Sequence, residues 1–420
     1  MNRSLLLVPL WAVFAVVPAA AQTLTISQAV DEAIQHNLAL IAQKANLPIA
    51  DTQMLTARLR PNPVASVSAD HLDWLGTGFD ENNNGGPPEF AFRVDLPIER
   101  SGKREKRMDL ASASRAVAEA QFDDAVRTLR ADVTLACIDV LAARATRALV
   151  TDNLRAFEDL ARVNRARVAA GSIAPLESTR SDVAMLQFRS TSVRADLELA
   201  TALARLRTLL GRSPADPLDI SGDLRLALST PPAELAPAQQ LALATRPDLR
   251  SLQLGEAKSV ADLRLQEAIG HIDYTVGAEY RRQQGIAGMS NSLGFFVSAP
   301  LPLLNRNQGE VARAGAERDQ TSRQMAAVKA QILSDVEMAF QEYTANRDLV
   351  AAIEHDLIQP ATSARDISTY TYRAGGTSLL ELLDAQRAFN DTMQSYLDAQ
   401  AGLRRAAAHL NAAVGTEVMR

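Results

Sequence analysis

The residue types that carry most catalytic and metal-binding chemistry are few and scattered in this chain. None of the five histidines has a second histidine or a cysteine at a ligand-like spacing; they are His36, His71, His271, His355 and His409. The nine methionines form no stripe. The sequence contains no phosphate-binding loop and no nucleophile with a partner base. We therefore predict that the chain is not an enzyme and has no metal site and no cofactor.

Charge and cysteine content narrow the possible partners. The net charge is −5 and no basic face stands out, which argues against a nucleic-acid partner. Cys137 is the single cysteine, so no disulfide can form within the chain. It lies between apolar residues of a predicted helix, and we expect a buried structural thiol.

The N-terminus has the pattern of a secretory signal peptide over residues 1–21. Arg3 precedes an apolar run over residues 5–17, and Ala19, Ala20 and Ala21 supply a small-residue cleavage site. Beyond it, no apolar run reaches the roughly 18 residues of a membrane-spanning helix. We expect an exported protein that is periplasmic, secreted or inserted into a membrane through strands.

A long helix that occurs twice must position any functional residue. Residues 103–170 contain no glycine or proline, and such a helix would extend about 100 Å at 1.5 Å per residue. A comparable stretch covers residues 307–374. Both end at a similar turn, which contains Gly171 and Ser172 in the first copy and Gly375, Gly376 and Thr377 in the second. A duplicated unit of strand, long helix, turn and long helix is indicated.

The duplication divides the chain into two repeats. The first covers residues 22–212, with strands at about 63–72 and 89–98 and long helices at about 103–170 and 175–211. The second covers residues 238–420, with strands at about 272–281 and 292–303 and long helices at about 307–374 and 378–414. A proline-rich linker, 213–237, joins them. Shorter helical segments precede each hairpin, at residues 26–58 and 235–268, the second interrupted near Pro247.

The strand candidates alternate apolar with small or polar residues, as in 90–96 and 274–280. This pattern fits membrane strands, and it also fits two half-buried surface hairpins of a soluble protein. The connections 73–89 and 281–292 are polar and contain glycine, so we expect exposed loops there. Four strands cannot close a barrel, so the membrane interpretation requires several chains. Three chains would supply twelve strands.

In the second long helix, apolar residues recur at spacings of three, four or seven. They are Val328, Ile332, Val336, Ala339, Tyr343, Val350, Ile353 and Leu357. This is an amphipathic seam of the coiled-coil type, which a soluble helical bundle would also show. Pro360 is expected to kink the last part of this helix.

With these features together, the chain resembles the TolC-type outer-membrane efflux channels over essentially all of residues 22–420. Segments 96–104 and 300–309 are most similar to heavy-metal efflux channels of the CzcC/CusC type. The resemblance implies a mainly α fold with a membrane β-barrel: a homotrimer whose twelve-stranded barrel, four strands per chain, stands on a long α-helical tunnel. It places the protein in the outer membrane of a Gram-negative bacterium, in contact with outer-membrane lipid and extending into the periplasm.

The resemblance also implies partners and site residues. A periplasmic adaptor (membrane fusion) protein and an inner-membrane pump of the resistance–nodulation–division type would dock at the helix tips, which contain Gly171, Ser172, Gly375, Gly376 and Thr377. Glu381 and Asp384 match acidic positions of the periplasmic aperture, where threefold symmetry would form rings that favour cations. Glu177 and Tyr372 match a hydrogen-bonded latch between helices.

Two points of this implied site remain open at the level of sequence. Thr377 stands where the family has a latch arginine, so the closed state is expected to be held differently. Without the resemblance, Glu381 and Asp384 are ordinary solvated residues near a helix start, where acidic side chains are favourable.

The leading hypothesis is an exit duct of a tripartite efflux system that exports heavy-metal cations. The first alternative is a similar duct for drugs or secreted polypeptides. The second, from a different class, is a periplasmic coiled-coil structural protein.

Overall fold

The computed structural model describes residues 22–76, 78, 87–226, 234–285 and 288–419. The predicted signal peptide lies outside the described residues, as do residues 227–233 of the predicted linker and most of the connection before residue 87. Within the described ranges the chain has two halves with the same order of elements.

The first half contains two strands of a sheet followed by two long helices. Its elements are β1 (Gln22–Leu24), α1 (Ile26–His36), α2 (Leu38–Lys44), α3 (Asn46–Arg58), β2 (Val64–Asp70), β3 (Glu89–Ile98), α4 (Lys103–Ala169) and α5 (Pro175–Leu210). The second half contains β4 (Leu218–Ile220), α6 (Leu235–Thr245), α7 (Pro247–Ile269), β5 (Tyr274–Gly285), β6 (Gly288–Ser298), α8 (Gln308–Asp356), α9 (Ile358–Arg373) and α10 (Leu379–Val414).

The two halves begin and end their long helices in the same way. The residue before α4 is Gly102, with φ +65°, and the residue before α8 is Asn307, with φ +64°, so both helices follow a left-handed residue. α5 and α10 end at Gly211 and Gly415, which also have positive φ. A glycine at this position lets the chain leave a helix without a Cβ clash.

Two apolar clusters hold the long helices together. The first joins α1, α4 and α5 with the short strands β1 and β4 around Val133, Leu141 and Leu206. The second joins α6, α8 and α10 around Ile332 and Tyr343, which are 0% and 1% exposed. The seam predicted in α8 is therefore buried along most of its length. Among the described residues, no helix combines the length and the apolar character needed to cross a bilayer.

The four longer strands form one antiparallel sheet in the order β2-β3-β5-β6. One face carries exposed apolar side chains, which on β3 are Phe90, Phe92, Val94, Leu96 and Ile98. The other face is polar and contains the ion pairs Arg93–Asp95 and Arg281–Glu279, at 2.9 and 3.0 Å. Among the residues that the structure describes, β2 and β6 each pair on one side only, so both edges of the sheet are open there.

The strand bounds differ from the predicted ones at the second hairpin. The segment 281–292, predicted as a loop, is paired in β5 and β6 as far as Gly285 and Gly288. Gly288, at the start of β6, has a φ of +105°, a conformation that favours glycine. β6 ends at Ser298 and not near residue 303, because Pro300 and Pro302 have no amide hydrogen for a ladder.

The helical segments also have more breaks than predicted. The stretch 307–374 is interrupted at Leu357, whose φ is −115°. Pro360 explains the break, because a continuous helix would bring its ring against the carbonyl of Asp356. The segment 26–58 is three helices: Asn37 leaves the helical conformation and caps α2 by accepting a bond from the Leu40 amide at 2.9 Å. The predicted linker contains β4, which pairs in parallel with β1.

Candidate functional site at the helix tips

The two helix tips reverse the chain with the same backbone geometry. At the first tip Gly171 has φ +71°, and the amide of Ser172 donates to the carbonyl of Arg167 at 2.8 Å. At the second tip Gly375 has φ +80°, and the amide of Gly376 donates to the carbonyl of Thr371 at 2.8 Å. Both are Schellman turns, which satisfy carbonyls left free at the helix end. The tip glycines and Ser172 are exposed and Thr377 is partly buried.

The helices that leave the two tips start differently. α5 begins with Pro175 and has no side-chain cap. α10 begins with a capping box: the Ser378 hydroxyl accepts a bond from the Glu381 amide at 3.3 Å, and the Glu381 carboxylate accepts one from the Ser378 amide at 3.2 Å. The predicted aperture residue Glu381 thus also has a local role at the helix start.

Asp384 lies one helical turn after Glu381, on the exposed face of α10. Its side chain is 64% exposed, and the nearest cation is Arg387, at 3.9 Å. Between the two carboxylates, Leu382 and Leu383 turn to the opposite side and are buried. The structure therefore places both predicted aperture acids together at the solvent-facing side of the second tip.

The hydroxyl of Tyr372 joins the two helical hairpins. Tyr372 is 5% exposed, and its hydroxyl donates to Asn164 Oδ1 at 2.8 Å. Asn164 is fully buried in α4, whereas Tyr372 lies at the end of α9. Burial raises the pKa of Tyr372 above its usual value, and the nearby negative charge of Glu177 adds to this rise. The Tyr372 hydroxyl therefore stays neutral and remains a hydrogen-bond donor.

The partner of Tyr372 is the residue that sequence reasoning missed. The resemblance pairs Tyr372 with Glu177, but in the structure Asn164 accepts the bond, and Glu177 contributes through its charge. One signal was present: Phe157, Ala161 and Asn164 follow each other at helical spacing and are all buried, so Asn164 is a polar residue on an apolar stripe. The Thr377 hydroxyl lies 3.2 Å from that of Thr371, within the second tip.

An apolar cluster supports this hydrogen bond. Tyr372 packs with Phe157 and with the first turns of α10 at Leu379, Leu382 and Leu383. The ring of Phe157 stacks on that of Phe188 in α5, with centroids 4.3 Å apart. All four helices that reach the tips thus contribute to one contact region, which holds the two hairpins side by side.

Other residue types offer little chemistry in the described part of the chain. Within those ranges, no three histidine, cysteine, aspartate or glutamate residues are grouped so that they could hold a metal ion. Cys137 is buried, and burial raises the pKa of its thiol to about 12. A thiol with such a pKa is protonated at neutral pH and is a poor nucleophile.

Comparison with known families explains this combination of long helices and a small sheet. The family model described as "Outer membrane efflux protein" matches residues 29–212 and 238–416. The chain belongs to this family. It is therefore an outer-membrane protein that reaches into the periplasm and acts as an efflux channel, not as an enzyme. The two matched ranges coincide with the two halves of the structure.

Several curated relatives have names that describe export or resistance. The chain is 25% identical to the cobalt-zinc-cadmium resistance protein CzcC of Cupriavidus metallidurans, over 90% of this chain and 87% of that protein. It is 27% identical to the nickel and cobalt resistance protein CnrC of the same organism, over 68% of this chain and 66% of that protein. The pyoverdine export outer membrane protein OpmQ of Pseudomonas aeruginosa is 26% identical over 72% of this chain and 64% of that protein.

Solved structures share the fold. CusC superposes with a TM-score of 0.76 at 18% identity, covering 93% of this chain and 92% of CusC. The outer-membrane channel OprN gives a TM-score of 0.74 at 20% identity, covering 93% of this chain and 89% of OprN. The TolC-like fold class expected from the sequence is confirmed.

Proposed function

We propose that three copies of this chain form the exit duct of a tripartite efflux system of the resistance–nodulation–division type, and that the duct exports heavy-metal cations. The single observation that carries the cargo assignment is the likeness to CzcC over 90% of this chain. The name of CnrC also refers to metal resistance. The duct needs no metal-binding site of its own, because conduction requires weak and reversible contacts.

The open edges of the sheet support the trimer. In the described part of the chain, β2 and β6 each lack a neighbour on one side, and the face of the sheet that carries Phe90 and Phe92 is apolar. In a bilayer, unpaired backbone groups at such edges are costly, so β6 of one copy would pair with β2 of the next. Three copies would then close a barrel of twelve strands.

The helix tips would form the periplasmic mouth. The contact of Tyr372 with Asn164 would keep the two hairpins together in the closed state, and Glu177 would tune the hydroxyl through its charge. Glu381 and Asp384 would form acidic rings around the threefold axis and favour cations over anions. The exposed turns at Gly171 and Gly375 would contact the periplasmic adaptor, which links the duct to the inner-membrane pump.

The cargo assignment can be tested by growth of a deletion strain on metal salts and on lipophilic drugs. We expect sensitivity to cobalt, zinc, cadmium or nickel, and restoration by the intact gene. The matched control is a gene whose product carries Tyr370→Phe, a change at a 75% exposed side chain that should restore growth fully. Growth equal to that of the parent strain on every metal, with sensitivity to drugs, would reject the metal cargo.

A second cargo class has support from one relative. OpmQ is a pyoverdine export protein by name, so a duct of this family can serve an organic molecule in that organism. On this alternative the deletion strain would grow normally on metal salts, and secretion of an organic compound into the medium would fall. The same strain therefore distinguishes the two cargoes.

A further inference from the structure

The junction between the sheet and the helices carries a group of cations without carboxylate partners. Their neighbours Lys103 and Arg107 form ion pairs with Asp273 and Glu99. The remaining cations form no ion pair within the described ranges of the chain, and we name them the basic collar: Arg58, Arg60, Arg100, Arg104, Lys106 and Arg306. The collar lies next to the helix-side ends of the four strands.

Specific contacts hold the collar in place. Arg104 Nε donates to the carbonyl of Arg58 at 2.7 Å, which fixes the end of α3 on the start of α4. Arg100 Nη1 donates to the Tyr274 hydroxyl at 2.9 Å, and its guanidinium lies 5.0 Å from the centre of the Tyr274 ring. These bonds use only part of each guanidinium, which has five N–H donors. Donors therefore remain for a ligand.

The collar continues directly from the apolar face of the sheet. On β3 the apolar side chains alternate up to Ile98, and Arg100 is the next residue of the same parity. β3 has 10 residues, which extend about 33 Å at 3.3 Å per residue. With a tilt of about 40°, this span approaches the roughly 25 Å apolar band of membrane strands. Arg100 and Tyr274 thus lie at the level where lipid headgroups begin.

The charge of this region is opposite to that of the whole chain. Segments 58–60, 99–107, 271–273 and 300–306 contain eight lysines and arginines against three aspartates and glutamates, a net charge of +5, whereas the chain carries −5. Exposed leucines accompany the cations: Leu59 is 65% exposed and Leu304 is 91% exposed. Cations beside exposed apolar side chains are typical of a surface that meets an anionic membrane.

We propose that the basic collar binds the anionic headgroups of phospholipids in the periplasmic leaflet of the outer membrane. Arginine fits a phosphodiester because its planar guanidinium can donate two parallel hydrogen bonds. Leu59 and the leucines after β6 would lie beside the acyl chains of the same lipids. This inference rests on the channel function and on the apolar face of the sheet meeting lipid.

Lipid competition on the purified, detergent-solubilised protein tests the collar. The protein is mixed with equal amounts of phosphatidylglycerol and phosphatidylcholine, and bound lipids are counted by native mass spectrometry. We expect a preference for phosphatidylglycerol that falls with salt, because the Debye length shrinks to about 3 Å at 1 M. Each cation near an anionic surface contributes about a fivefold factor. The variant Arg60→Gln/Arg100→Gln/Arg104→Gln should therefore lower the preference at least about tenfold.

Matched variants separate charge from folding. Arg180→Gln/Arg189→Gln/Arg194→Gln removes three charges from exposed positions of α5 and should keep the preference. Arg60→Lys/Arg100→Lys/Arg104→Lys retains the charges and should keep most of it. If the glutamine variant does not assemble, the unmodified protein tests the proposal by itself. A phosphatidylglycerol preference that falls with salt supports it, and a preference independent of salt contradicts it. Equal binding of both lipids by the unmodified protein would contradict lipid binding by the basic collar. So would an equal loss of the phosphatidylglycerol preference in the α5 variant. Binding of neither lipid would instead contradict the membrane placement of the sheet.

Discussion

At the scale of single residues, one neutral hydrogen bond between two buried side chains joins the hairpins within their apolar contact. Tyr372 and Asn164 are both buried, and the Nδ2 atom of Asn164 has no hydrogen-bond partner in the described part of the chain. Within the described residues, Oδ1 is therefore the only atom of the Asn164 side-chain amide that has a hydrogen-bond partner. Loss of the Tyr372 hydroxyl would leave a fully unsatisfied polar group in an apolar cluster.

Tyr372→Phe removes the hydroxyl and leaves Asn164 Oδ1 unpaired, at a cost of about 1–3 kcal/mol to the closed contact. We expect a higher single-channel conductance in planar bilayers. Tyr370→Phe is the control, because Tyr370 is 75% exposed. Equal conductance of the Tyr372→Phe channel and the unmodified channel would show that this bond does not hold the mouth closed.

The pH dependence of this contact follows from the raised pKa of Tyr372. A folded-state pKa above the unfolded value means that the neutral hydroxyl stabilises the contact fully below the ordinary tyrosine pKa of about 10. The stabilisation is lost only as the pH rises through the raised pKa. The conductance difference between the unmodified channel and Tyr372→Phe should therefore stay constant from about pH 6 to pH 9. A steep change within that range would point to a different group.

Glu381 has two roles that substitution can separate. The Glu381 side chain accepts one bond of the capping box, from the Ser378 amide. Glutamine keeps an acceptor for that bond but removes the charge, whereas alanine removes both. The bond from the Glu381 amide to the Ser378 hydroxyl remains in both variants. If Glu381 lines the aperture, Glu381→Gln should reduce cation selectivity, measured as the reversal potential in a salt gradient. Glu381→Ala should in addition lower the thermal stability, by about 0.5–1.5 kcal/mol for the one hydrogen bond lost from the Ser378 amide. An unchanged reversal potential for Glu381→Gln would leave only the capping role.

Asp384 should act on selectivity without an effect on stability, since it is exposed and makes no capping bond. We expect Asp384→Asn to shift the reversal potential toward that of a less cation-selective pore. Asp132→Asn, at an exposed position in the middle of α4, is the control for loss of one carboxylate. Equal shifts in both variants would mean that selectivity reflects overall charge and not the mouth.

Sequence could identify some of these residues and not others. Tyr372, Glu381 and Asp384 lie beside a turn whose glycines mark it in the sequence, so a resemblance of short motifs reaches them. Asn164 lies 208 positions before Tyr372. Its role depends on the axial register between α4 and α9, which brings Asn164 opposite Tyr372, and no local sequence pattern determines that register.

At the scale of elements, two glycines of the same conformation have different surroundings. Gly171 has φ +71° with open space where a Cβ would lie. Gly211 has φ +70°, but its Cβ would lie 2.2 Å from the carbonyl oxygen of His36. The end of α5 therefore packs against the junction of α1 and α2 through the absence of a side chain.

These glycines give a matched pair of variants. Gly171→Ala should cost only the strain of a left-handed alanine, about 1–2 kcal/mol. Gly211→Ala should cost more, because the backbone of α1 must also move. Thermal unfolding followed by helical circular dichroism would measure both. An equal loss of stability in the two variants would mean that α1 moves away from the end of α5 at little energetic cost.

The long helices were predictable because they lack glycine and proline, and their ends were predictable because the turns contain glycine. The position of the break at Leu357 was harder to predict. Pro360 predicts a kink, but a proline is tolerated in the first turn of a helix, so α9 can begin before it and the interruption falls three residues earlier. The paired segment of β5 and β6 was missed because polar composition suggests a loop, whereas pairing depends on the neighbouring strand.

At the scale of the whole molecule, the four-stranded sheet of the described residues leaves two strands with an unpaired edge. The two edge strands, β2 and β6, lie on opposite sides of the sheet. Either a second copy covers each edge or water does, and the apolar outer face argues against water. The assembly can be tested with cysteines, because the native Cys137 is buried and protonated.

We expect cysteines on the two edges to join different chains. Ser66→Cys on β2, combined in turn with Ser290→Cys, Ser292→Cys or Gly294→Cys on β6, should give a cross-linked trimer for at least one register. The readout is the mass on a denaturing gel without reductant. Ser68→Cys/Ala91→Cys is the control, because these residues are partners within one chain and should leave the mass unchanged. Monomers alone in every edge combination would contradict a shared sheet.

The open edges also have a genetic consequence. If every chain completes the sheet of its neighbours, a cell that makes two alleles will mix them in the same assemblies. One chain with a blocked tip would then disable two intact companions, so a damaging substitution in the tips should be dominant over the normal allele. A substitution that prevents edge pairing should behave as recessive, since such a chain never enters an assembly.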